Sequence, residues 1–235
     1  MYSFKSRIRY SEVDKDGRLT LEELLDYFQD CSTFHSEDIG VGMAYLADND
    51  MVWVLSAWQI IVDRYPGLGE IVTIGTFPYD FKGFLGYRNF VMLDEEGNRI
   101  AYANSIWTLL SVTKQVPVKP TPLMVEKYVL KEKLAMDYAP RKIAVPKSME
   151  TKDPIVVKKY HLDTNNHVNN GQYVRMAMDY LPEGFKVSQM RAEYKKQALL
   201  EDVLLPRTSE TENCYIVSLN DKENNAFAVV EFTKL

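Results

Sequence analysis

The residues most capable of chemistry lie together in residues 162–170, with the sequence LDTNNHVNN. A carboxylate such as Asp163 can act as a general base or a nucleophile, and a histidine such as His167 can polarise a carbonyl or exchange a proton. The amide of Asn165 can orient a reactant by hydrogen bonding. Aspartate and asparagine also favour turns and helix N-caps, so a purely structural turn stays open as an alternative.

A degenerate internal repeat helps to separate the two interpretations. Residues 9–20 align with residues 158–169, and both stretches follow a predicted strand and precede a predicted helix. The aligned polar positions are Asp14 with Asp163, Asp16 with Asn165, and Arg18 with His167. The first copy keeps the turn-forming residues without the histidine. Turn formation alone therefore does not require the second set, which favours a catalytic role for it.

The elements that must position these residues follow the same order in both halves. Alternation predicts a strand over residues 2–10, and Thr20 with Glu23 predicts the start of a helix that runs to about Cys31. The other predicted strands cover residues 53–62, 70–79, 84–94, 100–112, 154–160, 186–197, 202–208, 214–220 and 226–234, and a second helix covers residues 172–181. Residues 64–73 also align with residues 196–205. We expect two α+β units, which would bury their edge strands by pairing into one continuous sheet.

Residues 113–158 differ in composition from both halves. They are rich in proline, and their lysines and arginines outnumber their acidic residues, as expected of a linker that crosses a surface. We therefore divide the chain into an N-terminal unit (residues 1–125), a linker (residues 126–153) and a C-terminal unit (residues 154–235).

The composition excludes several classes of function. A formal net charge of −5 argues against general nucleic-acid binding, and two cysteines are too few for a disulfide framework or a zinc site. Residues 12–23 approach a calcium-binding loop, but they follow a strand where that loop needs a helix. No glycine-rich phosphate-binding motif occurs, so we expect neither a cofactor nor a metal. No apolar leader or membrane-length apolar run is present, and we expect a cytoplasmic protein.

At two places the sequence resembles the acyl-(acyl-carrier-protein) thioesterases of plants and bacteria. Residues 162–170 are similar to the family signature Asp-x-Asn-x-His-Val-Asn-Asn, and residues 193–198, EYKKQA, lie where the family has Tyr-basic-basic-Glu-Cys/Ala. The resemblance implies two hotdog folds in tandem, each a long helix wrapped by an antiparallel sheet. It also implies catalytic roles for Asp163, Asn165 and His167, with hydrolysis of acyl-acyl carrier protein (acyl-ACP) in fatty acid biosynthesis as the activity.

One departure from the family pattern affects the mechanism. The family's acidic residue falls on Gln197 here, and Ala198 stands where plant members have cysteine. We infer that Asp163 activates water or attacks directly, and that Gln197 orients the water. A free aspartate has a pKa of about 3.9, so Asp163 needs partial desolvation or nearby N–H groups to act as a base.

The resemblance assigns the acyl-chain pocket to the first repeat, where we select Met51 and Trp58 as substrate-binding residues. Acyl carrier protein is the expected partner, and basic residues of the linker, including Arg141 and Lys142, would attract an acidic carrier. A homodimer is left open. Two other functions compete: a hydratase or dehydratase of acyl thioesters, and a non-catalytic acyl-binding module, for which Gln197 is the best support.

Overall fold

The computed structural model describes residues 1–163 and 165–235, which form two compact units. The first unit comprises Met1–Ser56 and Ile60–Tyr138, and the second comprises Ala57–Gln59 and Ala139–Leu235. The division between them falls inside the segment expected to be a linker. Residues 126–138 belong to the first unit and residues 139–153 to the second.

The first unit places a long helix on an antiparallel sheet. Its elements are β1 (Tyr2–Arg7), α1 (Leu21–Asp38), α2 (Met43–Asp48), β2 (Met51–Val62), β3 (Ile71–Lys82), β4 (Leu85–Leu93), β5 (Arg99–Ser111) and α3 (Pro122–Lys127). The strand order is β1-β3-β4-β5-β2, with antiparallel pairing from β1 to β5. Phe28 of α1 packs on Phe90 of β4, with ring centroids 5.3 Å apart.

Helix α1 begins where the sequence predicts and ends later. The Thr20 hydroxyl accepts a hydrogen bond from the Glu23 backbone N–H at 3.4 Å, which is the predicted N-cap. The predicted end near Cys31 is wrong, because the helix continues to Asp38. The hydroxyls of Ser32 and Ser36 donate to carbonyls of the preceding turn, so these polar residues are satisfied within the helix. No helix within the described residues is long and apolar enough to cross a membrane.

The second unit repeats this arrangement with a shorter helix. Its elements are β6 (Glu150–Thr151), β7 (Ile155–Val156), α4 (Asn170–Met178), β8 (Val187–Tyr194), β9 (Val203–Glu210), β10 (Cys214–Asn220) and β11 (Ala226–Lys234). The strand order is β8-β11-β10-β9-β6, and β7 pairs with β9. The strand predicted over residues 154–160 is wrong beyond Val156, because a 3₁₀ turn at Lys159–His161 follows. The predicted α+β class is confirmed in both units.

Two loops, residues 94–98 in the first unit and residues 221–225 in the second, share the same type of hydrogen bond, so the repeat extends beyond the first aligned segment. The Asp94 carboxylate accepts the backbone N–H of Asn98 at 2.7 Å, and the Asp221 carboxylate accepts that of Asn225 at 2.8 Å. A cation reaches each aspartate: Arg64 lies 3.6 Å from Asp94, and Lys196 lies 3.2 Å from Asp221. The alignment of residues 64–73 with residues 196–205 places these two cations at the same position, so Lys196, beside Gln197, is held by an ion pair of the fold.

Candidate active site

The signature residues of the second unit form a tight turn around one carboxylate oxygen. Oδ1 of Asp163 accepts the backbone N–H of Asn165 at 2.8 Å and that of His167 at 3.2 Å. The Asp163 N–H donates to the His167 carbonyl at 2.8 Å, which closes the turn. Oδ2 of Asp163 has no hydrogen-bond partner among the described residues. One oxygen of this carboxylate therefore builds the turn, and the other takes no part in the turn's hydrogen bonds among the described residues.

The first unit builds the same turn without the asparagine and the histidine. Oδ1 of Asp14 accepts the backbone N–H groups of Asp16 and Arg18, both at 2.9 Å, and the Asp14 N–H donates to the Arg18 carbonyl at 2.8 Å. The backbone geometry of residues 163–167 is thus a general feature of the unit. Any chemistry specific to the second unit must come from its side chains.

The two turns also differ in solvent exposure. Asp163 and His167 are half-buried, whereas their counterparts Asp14 and Arg18 are exposed. Asn165 is exposed. Partial desolvation of a carboxylate and an imidazole strengthens their electrostatic interaction with a bound reactant. The sequence pattern predicted the turn, and the half-buried environment of its second copy depends on the fold.

The start of α4 is fixed directly after the turn. The Asn169 side chain caps the helix by accepting the Gly171 N–H at 2.8 Å. The hydroxyl of Tyr194 on β8 donates to the Asn170 carbonyl at 3.0 Å. These bonds set the direction in which the chain leaves the turn, so His167 is held between a closed turn and a capped helix.

Gln197 is tied to the same turn through its neighbour Ala198. The Val168 N–H donates to the Ala198 carbonyl at 3.0 Å, and the Ala198 N–H donates to the hydroxyl of Tyr173 at 2.9 Å. Ala198 is fully buried, while Gln197 is exposed. The structure therefore anchors the backbone beside Gln197 to the residue that follows His167.

Tyr173 is the residue that sequence reasoning missed. Its helical spacing reads as core packing, and it is buried at 2% exposure, yet its hydroxyl accepts the Ala198 N–H. Burial raises the pKa of Tyr173 to about 12, so the hydroxyl stays protonated at neutral pH. No local sequence pattern shows this contact, because it joins α4 to the loop after β8.

His161 has a structural role despite its closeness to the signature. It is buried, and its Nδ1 accepts the Lys158 backbone N–H at 3.0 Å. The imidazole is therefore held inside the fold and does not face the solvent. Burial and the nearby charge of Lys158 lower the pKa of His161, so it is neutral near pH 7. In the first unit, Glu12 accepts the Arg9 N–H at the same point of the repeat.

The two residues selected for substrate binding lie in different units. Met51 belongs to an apolar cluster of the first unit, whose buried members also include Val41, Leu109, Met124 and Tyr128. Trp58 is 2% exposed and lies in the segment Ala57–Gln59 of the second unit. Across the described residues, no group of three His, Cys, Asp or Glu side chains is arranged to hold a metal ion.

The chain is similar in sequence to chloroplastic acyl-ACP thioesterases of plants. The chain is 24% identical over 218 residues to the chloroplastic acyl-[acyl-carrier-protein] hydrolase FATB1 of Cuphea viscosissima, covering 84% of this chain and 51% of that protein. It is 25% identical over 236 residues to a chloroplastic palmitoyl-acyl carrier protein thioesterase of Gossypium hirsutum, covering 91% of this chain and 57% of the relative. The chain thus spans about half the length of these curated relatives.

The fold itself matches a solved structure over nearly its full length. An acyl-ACP thioesterase from Bacteroides thetaiotaomicron superposes with a TM-score of 0.90 at 23% identity, covering 98% of this chain and 96% of that one. The family model for the acyl-ACP thioesterase N-terminal domain matches residues 1–128, and the model for the C-terminal domain matches residues 144–233. With both halves matched in order, the chain belongs to the acyl-ACP thioesterase family.

Proposed function

We propose that this protein hydrolyses the thioester of acyl-ACP and releases a free fatty acid for fatty acid biosynthesis. The observation that carries the proposal is the contrast between the two turns. Both units build the same backbone turn on an aspartate, but the second unit half-buries that aspartate and adds an asparagine and a histidine. Family membership supplies the substrate class, since the relatives are named for this hydrolysis.

The proposed mechanism uses the oxygen of Asp163 that the turn leaves available. Oδ2 takes a proton from water as the water oxygen attacks the thioester carbonyl carbon. His167 donates a hydrogen bond to the carbonyl oxygen, where negative charge develops in the tetrahedral intermediate. The carbon–sulfur bond then breaks, the carboxylic acid forms, and the proton held by Asp163 passes to the leaving thiolate. Asn165 orients the thioester in this scheme.

Gln197 takes the place of the family's acidic residue, and we assign it the orientation of the attacking water. Its carboxamide can accept from water and donate to a carbonyl, but it cannot remove a proton. Its position next to the anchored Ala198 supports this assignment. The variant Gln197→Ala should lower kcat, whereas Gln197→Glu, which restores an acid, should retain activity. Equal, wild-type rates for both variants would remove Gln197 from the mechanism.

The deciding experiment is steady-state release of free thiol from acyl-ACP and acyl-coenzyme A over a series of chain lengths. Turnover that is faster on the carrier-protein substrate supports the proposal. A non-catalytic acyl-binding module is the second candidate, because Gln197 is exposed and not an acid. That candidate predicts binding of acyl thioesters without thiol release. Hydration of an enoyl thioester without thiol release would instead indicate a hydratase.

We assign the acyl chain to the apolar cluster of the first unit that contains Met51. Its members are buried aliphatic, methionine and tyrosine side chains, which suit a hydrocarbon. Replacing Met51 by alanine or by phenylalanine should shift the preferred chain length. One methylene in such a pocket changes discrimination by about 1–3 kcal/mol, so a shifted profile is expected and not an inactive enzyme. An unchanged profile in both variants would place the pocket elsewhere.

We assign carrier docking to the exposed cations of residues 139–143. Two side chains of β8 hold the backbone of this segment. Arg191 donates to the carbonyls of Pro140 and Lys142, at 2.6 and 3.3 Å. The Glu193 carboxylate accepts the Ile143 N–H at 3.1 Å. The side chains of Arg141 and Lys142 are exposed. A fixed backbone that presents two cations can attract an acidic carrier despite the net negative charge of the chain.

A further inference from the structure

A buried arginine without a counter-ion lies between helix α1 and the sheet of the first unit. Arg88 on β4 is 7% exposed, and among the described residues no carboxylate pairs with it. Its surroundings are neutral groups: the Thr76 hydroxyl, the His35 imidazole and the Tyr128 ring, whose centroid lies 5.4 Å from the guanidinium carbon. A buried charge normally has a partner, because desolvating it alone is costly.

The nearby ionisable groups do not supply the missing negative charge. Burial raises the pKa of the Cys31 thiol to about 12, so it is neutral at physiological pH. Burial, followed by the charge of Arg88, lowers the pKa of His35 to about 4, so the imidazole is also neutral. Nδ1 of His35 therefore acts as the acceptor for Arg88, at 3.0 Å.

The hydrogen bonds of Arg88 use only one end of its guanidinium. Nη1 has two hydrogens, and its two contacts are with His35 at 3.0 Å and Thr76 at 3.2 Å. Nε and Nη2 have no hydrogen-bond partner in the described part of the chain, and neither is among the fully buried unsatisfied atoms. The edge formed by Nε and Nη2 can bind a carboxylate with two parallel hydrogen bonds.

An apolar cluster reaches the guanidinium group of Arg88 through Tyr128. Tyr128, which packs against the guanidinium, is a member of the same buried cluster as Met51, Leu109 and Met124. A single positive charge beside hydrocarbon surface matches a monovalent anion with an aliphatic tail. We propose that the first unit binds the carboxylate of a free fatty acid at the Nε and Nη2 edge of Arg88, with the aliphatic chain against this cluster.

The ligand class is the product of the proposed hydrolysis, but the site requires no catalysis. A binding measurement therefore tests the Arg88 site separately from the proposed hydrolysis. Fatty acid binding can be absent while thiol release is intact, and thiol release can be absent while fatty acid binding is intact. The probe is dodecanoate, titrated below its micelle concentration into the full chain by calorimetry. Dodecanol is the matched uncharged ligand, and it needs no variant protein.

Three variants locate the binding. Arg88→Met removes the charge at similar side-chain volume. Arg88→Lys keeps the charge but lacks the pair of N–H donors at Nε and Nη2. Arg99→Met is the control for loss of an arginine elsewhere on the same sheet. Arg99 is an exposed arginine of the same sheet that stacks on Tyr102 at 3.8 Å. Losing a charge-assisted pair should weaken dodecanoate binding by about tenfold or more in Arg88→Met. Arg88→Lys should weaken it less, and Arg99→Met should bind like the wild type.

Dodecanol should bind the wild type and Arg88→Met alike, and more weakly than dodecanoate binds the wild type. The proposal is overturned if the wild type binds no dodecanoate, if it binds dodecanol as tightly, or if Arg88→Lys and Arg88→Met both retain wild-type affinity. If Arg88→Met fails to fold, the comparison of the two ligands on the wild type and the Arg88→Lys titration still decide the question.

Discussion

The most informative perturbation is Asp163→Asn, because the structure separates the two oxygens of this carboxylate. Oδ1 accepts two backbone N–H groups, at 2.8 and 3.2 Å, and an asparagine carbonyl oxygen can accept both. The turn should therefore survive, while the oxygen to which we assign proton transfer becomes an amide nitrogen. Asp163→Ala, by contrast, removes the turn bonds as well as the base.

The expected magnitudes differ between activity and stability. Loss of a positioned general base should lower kcat by about 10²-fold or more in both Asp163 variants. Two lost hydrogen bonds of about 1 kcal/mol each, partly replaced by water in a half-buried turn, should cost Asp163→Ala about 1–2 kcal/mol of unfolding free energy. Asp163→Asn should cost less than about 0.5 kcal/mol, since its bonds remain.

The first unit provides a matched control. Asp14 makes the same bonds at 2.9 Å in a turn without the asparagine and the histidine. Asp14→Asn should leave both kcat and stability unchanged, and Asp14→Ala should lose stability only. The assays are thiol release at saturating acyl-ACP and urea unfolding on the same preparations. Wild-type turnover by folded Asp163→Asn protein, or an equal loss of kcat in Asp14→Asn, would refute the assigned role.

Three further predictions use other contacts. The folded-state pKa of His35 is about 4, below its ordinary value of 6.5, so stability that is present above pH 6.5 is lost as the pH falls to 4. In the His35→Gln variant, this loss of unfolding free energy, measured by urea unfolding at each pH, should be smaller by about 2–3 kcal/mol. Tyr173→Phe should leave the buried Ala198 N–H unpaired, costing about 1–3 kcal/mol and lowering kcat. Reversing Arg141 and Lys142 to glutamate should lower kcat/KM for acyl-ACP but not for a small uncharged thioester, and added salt should lower the wild-type value selectively. The His35 assignment is contradicted if the stability difference between His35→Gln and the wild type does not change with pH. The Tyr173 assignment is contradicted if Tyr173→Phe keeps wild-type stability and kcat, and the docking assignment is contradicted if the charge reversal lowers kcat/KM equally on both substrates.

Much of the fold could be predicted because its signals are local. Strand alternation, the Thr20 cap and the duplicated turn are encoded in short stretches, and the structure confirms them. The strand predicted over residues 2–10 is wrong beyond Arg7, because a 3₁₀ turn at Tyr10–Glu12 follows. The short helices α2 and α3 were missed, since a few residues carry too little periodicity to distinguish a helix from a turn. Helix α1 runs past Cys31 through polar residues whose hydroxyls bond inside the helix, and a hydrophobic pattern does not predict this extension.

The candidate site was only partly accessible to sequence reasoning. The spacing of Asp163, Asn165 and His167 predicts a shared turn, and the bonds at Asp163 bring their backbones together. The anchoring of Ala198 by Tyr173, and the buried Arg88, depend on contacts between elements distant in the chain. Such contacts follow from topology and register, for which a single sequence carries no local signal.

The duplicated turn also bears on how the two halves can change over evolutionary time. In each half, one carboxylate oxygen and a few backbone groups are enough to keep the loop folded. Mutations at Asp16 or Arg18, whose side chains take no part in those bonds, are then nearly free of structural consequence. A duplicated gene can therefore lose catalysis in one copy while retaining its architecture, and that copy becomes available for selection on which ligand it accommodates.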